Sequence, residues 1–579
     1  MALENPFLRP PLDVGEAQAR DSSRATDYVH TFLEHTGLAG TPGIQQFILN
    51  QDDPTARNGV NLAVERFTGT NRQADSTGKS YFLIADGTGT GKGFQAVLTA
   101  AILGEQLNRE ALLVTRADLL EELRNDAARL GLSDRNFRFT SFEEFAKALS
   151  DAKRTGVSFS AVVIDEAQEL QNEKLRALLD IAPTRNVLLL SATPVQSPEE
   201  AEFLGAKLSG RSRSQVRRQL ASGKVAERIA ELWTELHRSG ACVRREFPFY
   251  GEQAKLELER LSVAHREEEQ SVIRGYEAQM KFQSAPEVRR LRSELELELR
   301  AISDQALVRR ATDEIEGRLE KGGKVIFYGN DRSFRSRFLR ETTGAPWRFT
   351  GLLSAVQQEL AFRGVEAAKL NEPLPAPIFE TESEAIARTR ANHQLELQNR
   401  ERMTRFVDGL VLFDQDGSPR EVKQANGDQI YKSSQLKVIL LPHSQNAGYS
   451  VLNQRWPDAD PVSIISSLPP SANAKIQEDG RGSRRNSRGA CESLTLATDS
   501  IADRRQMQSL ELQFRILHAV GVQAAKPYLD LIARFEHLTS PQSPYARVIC
   551  ATNVPARRNS AVAGRRVAEA RLGTGSEHR

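Results

Sequence analysis

Residues 83 to 95 read LIADGTGTGKGFQ, and this stretch decides how the first half of the chain folds. It begins within an apolar run, YFLIA, and leads into FQAVLTAAILGEQL, which is typical of a helix. Gly87, Gly89, Gly91 and Gly93 permit a tight turn that aims backbone N–H groups inward, and the helix N-terminus adds positive charge there. The pattern predicts a strand, a phosphate-binding loop and a helix.

The loop departs from the usual phosphate-loop pattern at both ends. Lys92 is placed to neutralise β- and γ-phosphates, but Asp86 stands at the first glycine position. Gly93 replaces the Ser or Thr whose hydroxyl normally holds Mg²⁺. The ion would then depend on Asp165, nucleotide oxygens and water, with Thr88 or Thr90 as further candidate ligands. A glycine-rich turn that binds nothing is the alternative interpretation of this segment taken alone.

Strand-like and helix-like segments alternate on both sides of the loop. The apolar strand candidates before about residue 196 are SYFLIA, ALLVT, AVVIDEA and NVLLLSAT. This alternation predicts a parallel sheet wrapped by helices, and KVIFYGN at 324–330 opens a second alternating segment. The charged sequence between the two segments has a helical period and few Gly or Pro.

With 579 residues the chain is too long for one core, so the sequence predicts an α/β protein with two parallel-sheet domains. The expected parts are an N-terminal arm over 1–40, a first domain over 41–196, a helical insertion or linker over 197–320, a second domain over 321–535 and a basic, flexible tail over 536–579.

Composition excludes a global electrostatic signature of nucleic-acid binding, because the net charge is only +2. Any basic surface must be local, and KLSGRSRSQVRRQ at 207–219 and the Arg-rich tail are the candidates. A solvated helix face is the alternative for the first of these.

The sequence also indicates a compartment. Cys242, Cys491 and Cys550 are too far apart for a Cys-x-x-Cys metal site, and we expect free thiols in a reducing environment. The start of the chain lacks a signal-peptide layout and no apolar run suffices to span a bilayer, so we expect a cytoplasmic protein without membrane contact.

Carboxylates follow the predicted strand AVVIDEAQEL. Asp165 is placed to hold magnesium, and Glu166 to orient or deprotonate the attacking water. Gln168 can relay a hydrogen bond to Ser191 or Thr193, which end the next strand, NVLLLSAT. A charged strand end without catalytic function is the alternative for the DEAQ element.

A pair of arginines lies in IQEDGRGSRR, where Gln477, Gly480, Arg481 and Arg484 form Q-x-x-G-R-x-x-R. Arginines three apart on a helix share one face, and their planar guanidinium groups match γ-phosphate oxygens. An exposed basic helix is the alternative.

The order of phosphate loop, DEAQ element, SAT strand end and Q-x-x-G-R-x-x-R segment resembles that of a superfamily-2 helicase. The Asp-Gly-x-Gly-x-Gly-Lys-Gly loop is similar to that of the strawberry notch family of helicase-like ATPases. The segments SGACVRREFPFYG (239–251) and LPPSANAKIQEDGRGSR also resemble segments of that family. The resemblance implies two RecA-like domains that face each other across ATP, the first supplying the loop and carboxylates and the second the arginines. It covers roughly residues 40 to 535.

The resemblance implies nucleic-acid-stimulated ATP hydrolysis that drives translocation or unwinding, with ATP and Mg²⁺ as cofactors. Residues 87–93 and Gln477 would bind the nucleotide. The expected partner is nucleic acid gripped by its backbone, with DNA favoured over RNA, and a protein partner is open. HSQNAGYSVLN (443–453) only loosely resembles the family's coupling motif. The alternatives are therefore an ATP-dependent switch or remodeller that separates no strands, and a non-catalytic scaffold.

An upstream glutamine, Gln45 or Gln46 in GIQQFI, is a candidate for reading the adenine edge. A surface glutamine on a helix is the alternative.

Overall fold

The fold is taken from a computed structural model. It describes the following residues: 27–49, 55–69, 74–87, 91–132, 136–221, 224–245, 254–281, 283–340, 345–370, 382–407, 412–413, 419–420, 436–445, 462–482 and 492–533.

Two six-stranded parallel sheets organise the described chain. The strand order of the first sheet is β3 (Phe137–Ser141), β2 (Ala111–Thr115), β4 (Val162–Ile164), β5 (Asn186–Leu190), β1 (Ser80–Ile84) and β6 (Cys242–Val243). The strand order of the second sheet is β11 (Ala367–Lys369), β14 (Val438–Pro442), β8 (Lys324–Gly329), β15 (Val462–Ser467), β16 (Glu492–Thr498) and β7 (Ala254–Glu259). This architecture confirms the predicted α/β class with two parallel-sheet domains. Because every pair within each sheet is parallel, the carboxyl ends of its strands lie at one edge, where ligands of such sheets bind.

The first sheet and its helices form the N-terminal half. Their bounds are α1 Tyr28–Thr36, α2 Pro42–Phe47, α3 Thr55–Thr68, β1 Ser80–Ile84, α4 Lys92–Gln106, β2 Ala111–Thr115, α5 Leu120–Arg129, β3 Phe137–Ser141, α6 Phe145–Thr155, β4 Val162–Ile164, α7 Glu173–Ile181, β5 Asn186–Leu190, α8 Pro198–Ser209, α9 Arg213–Leu220, α10 Val225–Arg238 and β6 Cys242–Val243.

The second sheet follows with its own helices. Their bounds are β7 Ala254–Glu259, α11 Val263–Met280, α12 Ala285–Leu319, β8 Lys324–Gly329, β9 Phe334–Arg340, β10 Pro346–Phe349, α13 Leu352–Phe362, β11 Ala367–Lys369, α14 Glu382–Val407, β12 Leu412–Phe413, β13 Pro419–Arg420, β14 Val438–Pro442, β15 Val462–Ser467, α15 Ala472–Gly482, β16 Glu492–Thr498, α16 Ile501–Ala519 and α17 Lys526–Ala533.

Residues 197–320, which the sequence predicts to be a helical insertion, contribute a strand to each sheet. β6 pairs with β1 of the first sheet, and β7 pairs with β16 of the second. Helices α8 and α10 pack with the first-sheet core, whereas α11 and α12 pack on the second sheet. The described chain therefore passes from one domain to the other between residues 245 and 254.

Buried apolar side chains cover both faces of each sheet. One face of the first sheet packs against α1 to α5, and the other face packs against α6 to α10. That second cluster continues into α15, α16 and α17, so the two domains share one core. Among the described helices, none combines the length and apolarity needed to cross a bilayer.

Candidate active site

The phosphate-loop lysine lies at the first position of α4. Gly91 precedes it in the left-handed conformation, with φ 74° and ψ 34°, which glycine adopts without steric cost. Lys92 Nζ donates to the carbonyl oxygens of Asp86 at 3.0 Å and Gly87 at 2.8 Å, so the ammonium lies over the loop entrance. The predicted contacts of residues 88–90, Thr88, Gly89 and Thr90, lie outside the described residues.

Asp86 is a buried anchor for the loop. Its carboxylate, on a fully buried residue, accepts from the Arg245 backbone N–H and from Nε, both at 3.0 Å, and pairs with the same guanidinium a second time. Gln95 Nε2 donates to it at 3.2 Å, and Gly87 N donates back to the Arg245 carbonyl at 2.8 Å. An aspartate at the first glycine position thus fastens the loop to the end of β6.

Gly93 lies where α4 packs closely against the Asp126 side chain of α5. A Cβ built on Gly93 would lie 2.2 Å from Asp126 Oδ2 and 3.6 Å from Leu123 Cδ1. Any side chain there requires Asp126 to move. Burial, with a further contribution from Glu122, raises the pKa of Asp126 to about 7. The place next to the backbone where a Ser or Thr side chain would begin is occupied by this carboxyl group.

Two adjacent acids follow β4 and interact with the loop lysine. Thr115 Oγ1 donates to Asp165 Oδ2 at 3.1 Å, and Glu166 adopts the left-handed conformation with φ 57°, which is uncommon for a residue with a side chain. Burial and the neighbouring Glu166 raise the pKa of Asp165 to about 7, while Lys92 opposes that rise. Burial lowers the pKa of Lys92, against the opposing effect of Glu166, Asp86 and Asp165. The structure therefore brings Lys92, Asp165 and Glu166 together.

The same three charges fit a magnesium ion shared with a nucleotide. Two carboxylates opposed by one ammonium leave negative charge at a desolvated position, and Mg²⁺ prefers carboxylate oxygen. Within the described ranges no group of three or more His, Cys, Asp or Glu side chains is arranged to hold a metal. An ion at Asp165 would take its remaining ligands from phosphate oxygens and water.

A chain of hydrogen bonds leads from Glu166 into the second domain. Gln168 Nε2 donates to Glu166 Oε2, and Gln168 Oε1 accepts from Ser191 Oγ at 2.6 Å. Ser191 Oγ in turn accepts from Thr193 N at 3.1 Å, and Thr193 Oγ1 donates to Asn473 Oδ1. Gln168, Ser191 and Thr193 are all buried. The DEAQ and SAT segments are therefore bonded in series to the N-terminal turn of α15.

Helix α15 carries the segment predicted to complete the site. Gln477 is half-buried and Gly480 is buried in its second half. Arg481 stands in the last turn of the helix, but its side chain and the whole of Arg484 lie outside the described residues. The structure thus places the predicted helix at the first domain, through Asn473, without describing its two guanidinium groups.

Buried polar groups hold α15 on the second sheet. Lys475 Nζ donates to Ser466 Oγ, Ser493 Oγ and Asp479 Oδ1, each at 3.0 Å. Burial raises the pKa of Asp479, and Lys475 opposes the rise. The sequence shows Lys475 and Asp479 as an i, i+4 pair, but it does not reveal that both are buried.

A second pair joins the same helix to the end of β14. His443 Nδ1 lies 2.7 Å from Glu478 Oε1, and Nε2 lies 3.0 Å from Ser467 Oγ. Both ionisable side chains are buried. His443 is the first residue of the segment that loosely resembles a coupling motif.

Arg244 is a site residue that the sequence analysis missed. Its Nη1 donates to the carbonyl oxygens of Ala85 at 2.7 Å and Ala192 at 3.1 Å, which follow β1 and β5. Its Nε donates to the carbonyl of Gly521 in the second domain at 2.9 Å. One guanidinium thus joins the loop strand, the SAT strand and the second domain. The sequence signals are the tandem Arg244–Arg245 and its position in the segment 239–251, whose resemblance to a helicase-like segment is noted above without a role for either arginine.

The candidate adenine glutamines lie beside the loop helix. Gln45 Nε2 donates to the carbonyl of Ala39 at 2.7 Å, and both Gln45 and Gln46 are exposed. The next residue, Phe47, stacks on Phe94 of α4 with 4.3 Å between ring centroids. This stacking places the segment against the first turn of α4.

The basic segment 207–219 is largely neutralised within the first domain. Arg213 and Arg217 both pair with Glu202, at 3.0 and 2.7 Å. Lys207 bridges Asp75 and Asp180 at 2.8 and 2.6 Å. These pairs favour the structural alternative for this segment over a surface free to bind phosphates.

Comparison with known proteins shows no family for this chain. No protein-family model matches, and no curated protein matches. Among solved structures, the chain is similar to the Sulfolobus solfataricus SWI2/SNF2 ATPase core in complex with dsDNA, with 14% identity, 84% of this chain and 96% of that chain covered, and a TM-score of 0.31. The Sulfolobus solfataricus SWI2/SNF2 ATPase core domain gives 13% identity, 78% and 85% coverage, and a TM-score of 0.29. Neither likeness is close enough to show a family.

Proposed function

We propose that the protein is a superfamily-2 helicase-like ATPase, a motor that hydrolyses ATP and moves along nucleic acid. The observation that carries this proposal is the convergence at the carboxyl edge of the first sheet. Lys92, Asp165 and Glu166 interact there, and a series of hydrogen bonds runs from Glu166 to α15 of the second domain. A nucleotide site whose carboxylate is bonded to a second domain is suited to convert hydrolysis into domain movement.

In this proposal each described side chain has a defined task. Lys92 neutralises phosphate charge from the start of α4, where the helix N-terminus adds the positive end of its dipole. Glu166 orients or deprotonates the attacking water, and Gln168 fixes its carboxylate through a direct hydrogen bond. Bound magnesium, held by Asp165, would offset the negative charge of the phosphates. Arg481 and Arg484 are proposed to stabilise the charge of the transition state.

The second domain responds through α15. When ATP binds, the γ-phosphate end of the site gains partners from α15, and hydrolysis removes them. Thr193 and Asn473 link that change to the SAT segment, because their side chains are already bonded across the domain boundary. Alternating closure and opening of the two domains then moves the protein along a nucleic-acid backbone, with DNA favoured over RNA. The strawberry notch family remains the narrower assignment that we propose from the loop and the arginine motif.

ATP turnover measured with and without nucleic acid tests the proposal. The assay compares no nucleic acid, single-stranded DNA, duplex DNA and RNA, and we expect stimulation by DNA. Lys92→Ala should abolish turnover while the circular dichroism spectrum and melting temperature stay close to those of the wild type. Normal turnover in Lys92→Ala, or no binding of an ATP analogue by the wild type, would reject the site. A strand-displacement assay run beside it separates a motor from an ATP-dependent switch that hydrolyses ATP without displacing strands.

A further inference from the structure

A two-stranded hairpin rich in arginine projects from the second domain. It is formed by β9 and β10, which lie between β8 and α13 in the chain. Residues 331–350 contain five arginines against one Asp and one Glu. The sequence analysis assigned no function to this segment.

One side of the hairpin is firmly packed on α11 and α12. Phe338 lies so close to Gly275 that a Cβ on that glycine would be 2.4 Å from Phe338 Cδ1. The ring of Phe338 also meets that of Tyr276 edge-on, with 4.8 Å between centroids. Ser336 Oγ donates to Glu298 of α12, and Trp347 is buried. The hairpin is therefore a fixed platform in this packing.

The other side presents arginines to solvent. Arg335 and Arg348 stand directly opposite each other across the strand pair, and both are exposed. Side chains directly opposite share one face of a strand pair, and like charges in that arrangement destabilise it. Arg332 and Arg340 are also exposed. In the part of the chain that the structure describes, none of these four forms an ion pair, whereas Arg337 pairs with Glu294 at 2.9 Å.

The hairpin leaves the second sheet at its carboxyl edge. It follows β8, which is the parallel neighbour of β15, and β15 leads into α15. The base of the hairpin is closed by Gly351, where a Cβ would lie 2.7 Å from the Asp331 backbone. The hairpin therefore starts from the same edge of the second sheet that meets the first domain through Asn473.

We propose that the exposed face of this hairpin binds the phosphodiester backbone of duplex DNA. Unpaired guanidinium groups match phosphate oxygens, and a bound polyanion would relieve the repulsion between Arg335 and Arg348. Proteins that bind single strands combine basic grooves with exposed aromatic rings for stacking. Here Trp347 and Phe349 are buried, and the half-buried rings of Phe334 and Phe338 pack against the second-domain core, so the hairpin offers charge without a free aromatic face for stacking. Backbone contact with a duplex fits that chemistry.

The ion-paired segment 207–219 supplies the contrast within the same chain. Arg213 and Arg217 are also exposed at their guanidinium ends, but Glu202 pairs with both. A cation that already has a carboxylate partner gains less from a phosphate than one without a partner. Of these two described basic segments, the hairpin is therefore the one that is left open to DNA.

Binding of labelled duplex DNA by the full-length protein tests this inference. The double variant Arg335→Gln/Arg348→Gln is compared with Arg154→Gln/Arg515→Gln, which removes the same charge from two exposed arginines that are ion-paired elsewhere. Fluorescence anisotropy over a series of salt concentrations should show affinity about tenfold weaker for the hairpin variant, with the salt slope reduced by about 2, one per lost phosphate contact. The control variant should keep both values.

Three outcomes would overturn the inference. The hairpin variant could keep the DNA affinity and the salt slope of the wild type, or the wild type could bind single-stranded DNA or duplex RNA more tightly than duplex DNA. The third is that polyglutamate competes for the protein as effectively as unlabelled DNA does. The inference takes its biological role from the proposed motor, but its test does not depend on ATP. Binding of an ATP analogue, measured in parallel, should be equal in all variants. Loss of DNA binding with no detectable nucleotide binding would retain the hairpin and reject the ATPase.

Discussion

The buried pair between Asp86 and Arg245 is a critical support of the loop, and replacing one partner should expose its magnitude. Arg245→Met removes a guanidinium that makes two contacts to a carboxylate with no exposed surface. The backbone N–H of residue 245 and Gln95 remain as partners, but the buried charge is no longer balanced. Breaking a buried ion pair in this way costs about 3–5 kcal/mol. For a domain of about 150–250 residues, a loss of 1 kcal/mol in the free energy of unfolding lowers the melting temperature by about 2–4 °C.

The reverse change should cost less. Asp86→Asn keeps the shape and one acceptor oxygen, but it removes the charge and replaces the other oxygen with an NH2 donor. The Arg245 side chain is 20% exposed, so it can turn toward water. We expect about 1–3 kcal/mol for Asp86→Asn, the cost of losing hydrogen bonds to a charged group. The double variant should lose clearly less than the sum, with a coupling energy of about 1–3 kcal/mol.

Thermal unfolding followed by far-ultraviolet circular dichroism measures the three variants and the wild type as one cycle. Arg154→Met, which removes an exposed arginine that is paired with Asp151, is the control and should change stability by less than about 0.5 kcal/mol. An additive cycle, or single variants that melt like the control, would refute the anchoring role of Asp86. Binding of an ATP analogue should weaken with the loss of the anchor, because the loop entrance begins at this residue.

Three further changes probe the rest of the site. Burial and Glu166 raise the pKa of Asp165 from 3.8 to about 7 in the folded state. Between these two pH values the folded state binds a proton at Asp165 that the unfolded state does not, so the free energy of unfolding falls as the pH rises from about 4 to 7. Asp165→Asn removes this titration and should flatten the pH dependence of the melting temperature. Gly93→Ala should stabilise α4 by up to about 1 kcal/mol only together with Asp126→Ala, which removes the carboxylate that the new methyl group would meet. Melting temperatures of the wild type, the two single variants and the double variant measure this difference. Thr193→Val removes the hydrogen bond to Asn473 and should lower the single-turnover rate of ATP hydrolysis about 2–10-fold, which corresponds to the free energy of one hydrogen bond. The affinity for an ATP analogue should change little, and an equal loss of that affinity would contradict the coupling role.

The first domain could be predicted well because its signals are local. The runs SYFLIA, ALLVT and NVLLLSAT correspond to β1, β2 and β5, and the loop between β1 and α4 lies where the glycines indicated. β6 and β7 were not predicted because both are edge strands whose identity depends on distant partners. β6 has only two residues, and β7, AKLELE, has the apolar–polar alternation of a strand but lies in a charged region that is otherwise mostly helical in period.

The site shows the same division between local and distant information. The relay from Gln168 to Ser191 could be expected, since the two residues follow the strands β4 and β5 of one sheet, and the structure contains that bond. The contacts of Asp86 with Arg245 and of Gly93 with Asp126 could not, because each joins residues far apart in sequence that carry no shared pattern. An unusual residue in a motif can be explained only once its neighbours in space are known.

Helix α15 combines two kinds of attachment, and the combination explains how it can transmit a change at the nucleotide site. Ile476 packs in the core shared by the two domains, and apolar contacts of this kind tolerate small sliding movements. Lys475 and Glu478 instead make directional bonds to β15, β16 and His443, and these bonds fix the position of the helix along its axis. Burying such charges costs desolvation free energy, which offsets much of the stability that the pairs contribute. Asn473, the second residue of α15, is bonded to Thr193. A displacement of the SAT segment should therefore move α15, the second sheet and the start of the 443–453 segment as one body, and the helix should not slide over the sheet.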